Sequence, residues 1–339
     1  MVAEQRLGKA SMVLTQTVHL RTGMQSGAIK TSGLNTCTFV TILSMSMRSE
    51  FRFLAAFVFF ASASAAVASP VTASLESILT EHLVVPAVGS FGLYRWDMFP
   101  SILIIDTPDY GFQDRMFSRL AFFIEKRGFR GRLLDNVALE KLHGWNAHDY
   151  GPEGLSSFFN AAEVAGVALN PEELTLRDIA LEQGVLRMER DKFEPGTGGV
   201  LSISRSSSVY ERRLLLTHES FHGIFFASAE YRELCFRVWD SLSPGTKAFF
   251  RSFLDDLGYD ASYRYLCVNE FQAYLMQQPI RFAPEYFQRV ARRFGESRAG
   301  VPVSAMLKAA DRLNAFLESR FRVRAGGTVE AHRVSGESG

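Results

Sequence analysis

Residues His218-Glu219-Ser220-Phe221-His222 spell H-E-x-x-H inside a long apolar stretch, and that placement narrows the options for this chain more than any other feature. On a helix the two imidazoles lie one turn apart on one face, close enough to share a single zinc ion. Glu219 then projects beside them, placed to take a proton from metal-bound water. The stretch 209–227 reads VYERRLLLTHESFHGIFFA; it has no proline, and its one glycine, Gly223, directly follows the second histidine. Leu214, Leu215, Phe221, Ile224, Phe225 and Phe226 make it apolar around most of its circumference, which predicts a buried helix. Two imidazoles and a carboxylate in such surroundings are costly unless something pairs them, and a metal does. The competing reading is a pair of core histidines bonded to backbone carbonyls, with Glu219 paired to an arginine such as Arg213.

A catalytic zinc takes three protein ligands and keeps a fourth position open. Residues 268–278 predict a second helix that ends near Pro279, and Glu270 on it is the expected third ligand. H-E-x-x-H followed some tens of residues later by Asn269-Glu270 on a helix resembles the gluzincin branch of the zinc metallopeptidases. The resemblance implies His218, His222 and Glu270 as metal ligands and Glu219 as general base. Thermolysin-like members carry an aspartate four positions after the ligand glutamate, to orient the first histidine; here Tyr274 stands in that place. The glycine and third histidine of the metzincin extension are absent from the sequence. A further likeness is to the anthrax lethal factor protease domain and the Pro-Pro endopeptidases, where a tyrosine seven positions before the ligand glutamate stabilises the oxyanion. That position is Tyr263, with Tyr265 as the alternative and an ordinary packing tyrosine as the competing reading for each. The resemblance covers residues 210–278.

With 339 residues, 47% of them hydrophobic and 29 of them phenylalanine, the chain is long enough to bury a sizeable core. A net charge of +1 and the lack of a basic run argue against a nucleic-acid partner. Residues 45–68 predict an export signal: Arg48 and Arg52 precede the short apolar run 53–60, and Ala66-Val67-Ala68 forms an A-x-A cleavage site. The run is too short to span a bilayer comfortably, so stable membrane insertion after cleavage is not expected. Residues 1–44 are rich in Thr, Ser and Gly without helical or strand period; they read as a disordered leader or an upstream extension of a chain that starts at Met45 or Met47. Beyond the signal, Cys235 and Cys267 remain. A disulfide between the two ligand-bearing segments and a pair of buried free thiols both fit.

The fold class expected is α+β and zincin-like, with a mixed-sheet subdomain over 69–205, a helical zinc-binding subdomain over 206–322, the metal between them, and a disordered tail over 323–339. Predicted elements are a helix at 74–83, a strand at 101–106, a helix at 111–127 and a strand at 129–134, which together make a β-α-β unit. A polar-aromatic loop follows at 143–150; its His143, Trp145, His148, Asp149 and Tyr150 suit a structural corner, a pocket wall or a second metal site. Helices at 152–165 and 174–183 and strands at 185–189 and 199–204 come next. Val200 to Ser204 is expected to be the sheet edge that pairs with an extended peptide, with glycines 196, 198 and 199 loosening the rim. Helices are predicted at 231–241, 246–257, 268–278, 284–294 and 302–321. The reading that follows is a secreted zinc metallopeptidase acting on a protein or peptide substrate. The alternative is a non-enzymatic exported binding protein on an old zincin scaffold; zinc-dependent hydrolysis of a non-peptide bond is a third.

Overall fold

Seven strands, eleven α-helices and a short 3-10 helix (Ile280–Phe282) occur among the described residues of the computed structural model, which are 69–80, 90–293 and 303–328. The leader, the export signal and the tail beyond 328 lie outside them. The strands are β1 (Val71–Ala73), β2 (Gly92–Trp96), β3 (Ile102–Thr107), β4 (Ala147–Tyr150), β5 (Leu186–Glu189), β6 (Lys192–Pro195) and β7 (Gly199–Ser204). Five of them form one mixed sheet in the order β1-β2-β3-β7-β4, and β5 and β6 form a separate hairpin. The architecture is α+β, as expected.

The centre of the sheet is the parallel pair β3–β7, registered from Ile102↔Gly199 to Thr107↔Ser204. Every residue of both strands is buried, because helices cover both faces and apolar side chains suit either side. One face packs Leu103, Ile105 and Val200 against α2 (Tyr110–Ile124), α4 (Pro152–Ala165) and α5 (Pro171–Glu182). A short α3 (Asn136–Leu139) lies between the first two in sequence. The other face packs Ile102, Ile104, Leu201 and Ile203 against the helices of the C-terminal half. Those are α6 (Val209–Ala227), α7 (Ala229–Ser241), α8 (Pro244–Leu257), α9 (Arg264–Met276), α10 (Ala283–Arg293) and α11 (Val303–Phe321), joined on this face by α1 (Leu75–Thr80).

Four expectations are corrected. Residues 129–134 are turn and irregular chain, not a strand: Gly128 and Gly131 adopt φ of 79° and 75°, and Gly131 N–H returns to the Phe123 carbonyl. Two left-handed residues so close together forbid an extended run, so the parallel crossover joins β3 to β7 through α2, α4 and α5. Val200 to Ser204 lies between β3 and β4 and is not an edge. The edge is β4, formed by the second half of the stretch read as a loop and paired antiparallel to β7. Finally, the first residues of the expected tail are packed: Ala325 is buried and Gly326 N–H bonds to the Met276 carbonyl at 2.7 Å.

Local chemistry fixes α6 firmly. Ser208 caps it: its hydroxyl accepts from Glu211 N–H, and the Glu211 carboxylate accepts from Ser208 N–H, a complete capping box. One turn in, the buried Arg212 donates to both carboxylate oxygens of Asp106 on β3, at 2.7 and 3.2 Å, while Arg205 donates to the same carboxylate at 3.0 Å. Near the other end, Gly223 lets the helix settle on the sheet: a Cβ there would stand 3.2 Å from both Ile102 and Leu201. Asp106→Ala removes the carboxylate and leaves a guanidinium buried without its partner. Urea denaturation of that variant should show a loss of about 3–5 kcal/mol; a loss below about 1 kcal/mol would show that the pair does not anchor the helix.

Candidate metal centre

The two histidines project from the middle of α6, which buries both. Their Nε2 atoms face each other at 3.1 Å. Glu270 comes from α9, which packs against α6; its Oε2 lies 3.5 Å from His218 Nε2 and 3.9 Å from His222 Nε2. The edges of a tetrahedron built on zinc–nitrogen and zinc–oxygen bonds are about 3.3 Å long, so three atoms spaced this way suit one ion. Glu270 Oε2 is buried and receives no hydrogen bond, as a ligand atom would be before the ion is added.

The outer nitrogens decide which way the lone pairs point. His218 Nδ1 lies 3.0 Å from Gln277 Oε1, which accepts its proton and leaves Nε2 free to ligate. Gln277 is itself held, since its Nε2 donates to Gln278 Oε1 and Gln278 Nε2 donates to the Tyr274 carbonyl. Gln277 thus fixes the orientation of the His218 ring, while Tyr274 does not contact His218 Nδ1. Tyr274 instead sets its ring edge-on to His218, with centroids 4.7 Å apart. His222 Nδ1 faces Asp149 Oδ2 at 3.4 Å, and Asn269 Nδ2 donates to the same oxygen at 3.0 Å. Burial lowers the pKa of His222 to about 4, with Glu270 opposing; the ring is neutral near pH 7, the form that binds a metal.

Glu219 is buried, and its Oε2 has no partner. Its ligand atom lies within 4.8 Å of those of Asp149 and His222. Burial, then the charges of Glu270 and Glu125, push its pKa well above the carboxylate range. Asp149 is raised likewise by burial and by Glu219, Glu270 and Glu125. Four carboxyl groups therefore crowd one another beside the histidines, a costly arrangement that a divalent cation relieves.

Sequence reasoning brought together His218, His222, Glu219 and Glu270, and the fold places them in one cluster. Tyr263 it does not bring there. That residue caps α9 from the wall of a cavity; its ring stacks on Tyr265 and carries the Arg130 guanidinium at 3.8 Å. The tyrosines that feel the charge of Glu270 are Tyr259, which is buried, and Tyr274, which is half-buried. Three contributors were missed. Gln277 follows the last turn of α9 and carries no motif. Asp149 was read as part of a loop, although Ala147 and Asp149 alternate with His148 and Tyr150, whose rings face Phe117 on the other side. Glu125, the C-cap of α2, is buried and accepts from Trp145 Nε1 at 2.8 Å.

The His143 end of that stretch is a structural corner. Asp114 accepts from Ser118 and from Gly144 N–H, and holds His143 at 2.9 Å. Cys235 and Cys267 are free buried thiols, not a disulfide; burial raises both, Cys267 to about 11, so neither is a ready thiolate ligand or nucleophile.

Glu125 gives a test in metal-free protein. Burial, then Glu270, push it up to about 8. Between the unfolded value near 4.5 and that pKa the native state holds more protons than the unfolded chain, so this group makes stability fall as pH rises. With chelator present, Glu125→Gln should flatten that decline between pH 5 and 8 and leave the variant relatively more stable at the alkaline end. An unchanged slope in urea titrations would mean that Glu125 ionises as freely as an exposed glutamate.

Comparison with protein-family models, with curated proteins and with solved structures found no significant match. Among the described residues no helix is long and apolar enough to cross a membrane.

Proposed function

We propose that this chain is a zinc-dependent metallopeptidase with a zincin-like site, exported by the signal in residues 45–68. The observation that carries the reading is the convergence of His218 Nε2, His222 Nε2 and Glu270 Oε2 at 3.1–3.9 Å, with both outer imidazole nitrogens facing acceptors. Zinc held there supplies Lewis acidity and a water acid enough to ionise near neutral pH. Glu219, next to His222, would serve as the general base, taking a proton from an attacking water and passing it to the leaving amine. Its own pKa, raised in the absence of a cation, falls toward the working range once positive charge lies beside it. The edge strand β4 offers unpaired backbone groups to an extended peptide, and Asp149 on that strand steadies His222.

A second reading, a binding protein on the same scaffold, draws on one observation. His218, His222 and Glu270 are each less than a tenth exposed, and a large cavity meets the cluster through Asp149 and Asn269, not at the ligands themselves. Mass spectrometry of a random peptide library separates the two. The peptidase reading expects cleavage that stops with chelator and returns with zinc. A folded, zinc-loaded chain that binds peptides and cuts none would favour the second.

A further inference from the structure

Beside the metal cluster a cavity of about 430 Å³ opens between the end of α2, strand β4, the start of α4 and the start of α9. Its walls combine three carboxylates, Glu125, Asp149 and Glu153, with the rings of Phe226, Tyr263 and Tyr265. We propose that this cavity binds a primary alkylammonium group, the α-amine or a lysine side chain of a peptide.

The carboxylates have capacity to spare. Asp149 uses Oδ2 toward His222 and Asn269, while Oδ1 makes no hydrogen bond among the described residues. Glu153 is exposed at the mouth and forms no ion pair among them. Asn269 also lines the cavity; it is 4% exposed, and its Oδ1 has no hydrogen-bond partner of ordinary geometry among the described residues. An ammonium offers three donors and suits this set of acceptors better than a neutral or acidic group would.

The cations nearby are already committed. Arg130 lies over Tyr263 at 3.8 Å with Asp260 at 3.9 Å, and Arg232 donates to the carbonyls of Phe225 and Phe226 at the end of α6. Arg130 also shows that the aromatic wall accepts positive charge on its face. Rings and acceptors lining one cavity are the composition that recognises ammonium ions. Asp149 links the cavity to the metal cluster, so a peptide anchored here by its amine lies beside the site. The peptide part of this inference rests on the metallopeptidase reading; the ammonium site does not.

The experiment measures binding of n-hexylammonium and of n-hexanol to the full chain by calorimetry, once with chelator and once with zinc. The ammonium should bind about tenfold tighter than the alcohol in both conditions, and Glu153→Gln, a change at an exposed position, should weaken the ammonium alone by about threefold or more. Equal affinity for the two probes, or no response to Glu153→Gln together with Glu125→Gln, overturns the proposal. Two peptides then identify the source: one with a free amino end and no lysine, the other acetylated with an internal lysine. Tighter binding of either than of an acetylated, lysine-free control supports the site and names its ligand; no preference for either refutes it. If the peptides bind and none is cut by the zinc-loaded chain, the metallopeptidase reading fails while the ammonium site stands.

Discussion

Glu219→Gln is expected to keep zinc and lose peptide hydrolysis by roughly 10²–10⁴-fold, the range that one positioned general base contributes. The substitution is nearly isosteric, and the residue is buried with one oxygen unpartnered, so no packing contact is removed. It also removes one of four neighbouring carboxyl groups that crowd one another, which favours the metal-free fold. Loss of activity in this variant therefore cannot come from a weakened core. Zinc content and circular dichroism should match the parent. Full activity with glutamine at 219 would remove the proposed base; zinc lost with it would mean that Glu219 ligates.

Glu270→Gln should change stability in opposite directions with and without metal. In the metal-free chain Glu270 is a charge that raises Glu125, Asp149 and Glu219. Neutralising it relieves burial of like charge, so with chelator the variant should melt at a higher temperature than the parent. Zinc at about 100 times its dissociation constant stabilises a single site by about 2.7 kcal/mol, equivalent to roughly 5–10 °C in a domain of this size. The parent gains that shift and the variant does not, so the order reverses when zinc is added. Two melting scans of each protein check this. A variant less stable than the parent under both conditions would show that Glu270 is held by hydrogen bonds and not strained by its neighbours.

The parts of the site legible in the sequence are those whose residues sit on helices with a strong apolar pattern. His218, Glu219 and His222 are fixed by spacing within α6, and Glu270 by its place on α9; both helices have the boundaries expected to within a few residues. The sheet was harder. Strands β3 and β7 show as apolar runs because both faces are covered, but their neighbours do not show. β4 contains a histidine, an aspartate and a tyrosine whose partners lie far off in sequence, so nothing local marks it as a strand. Its misreading moved the sheet edge from β4 to β7 and hid Asp149, whose part at the site follows only from strand alternation. Gln277 was invisible for a different reason: its role depends on where α9 ends relative to His218, a tertiary fact. The Phe129–Leu134 stretch looked extended because its side chains allow it, while Gly128 and Gly131 carry the backbone into turns. In each case the pattern within an element was readable, and the pairing between elements was not.

The most direct test of the metal centre is the zinc content of the purified chain after dialysis, measured by mass spectrometry beside Glu270→Ala. One zinc per chain in the parent, lost or strongly weakened in the variant, is the predicted result. A folded parent that takes up no zinc would contradict it, leaving two core histidines and a cluster of buried carboxyl groups in place of a catalytic site.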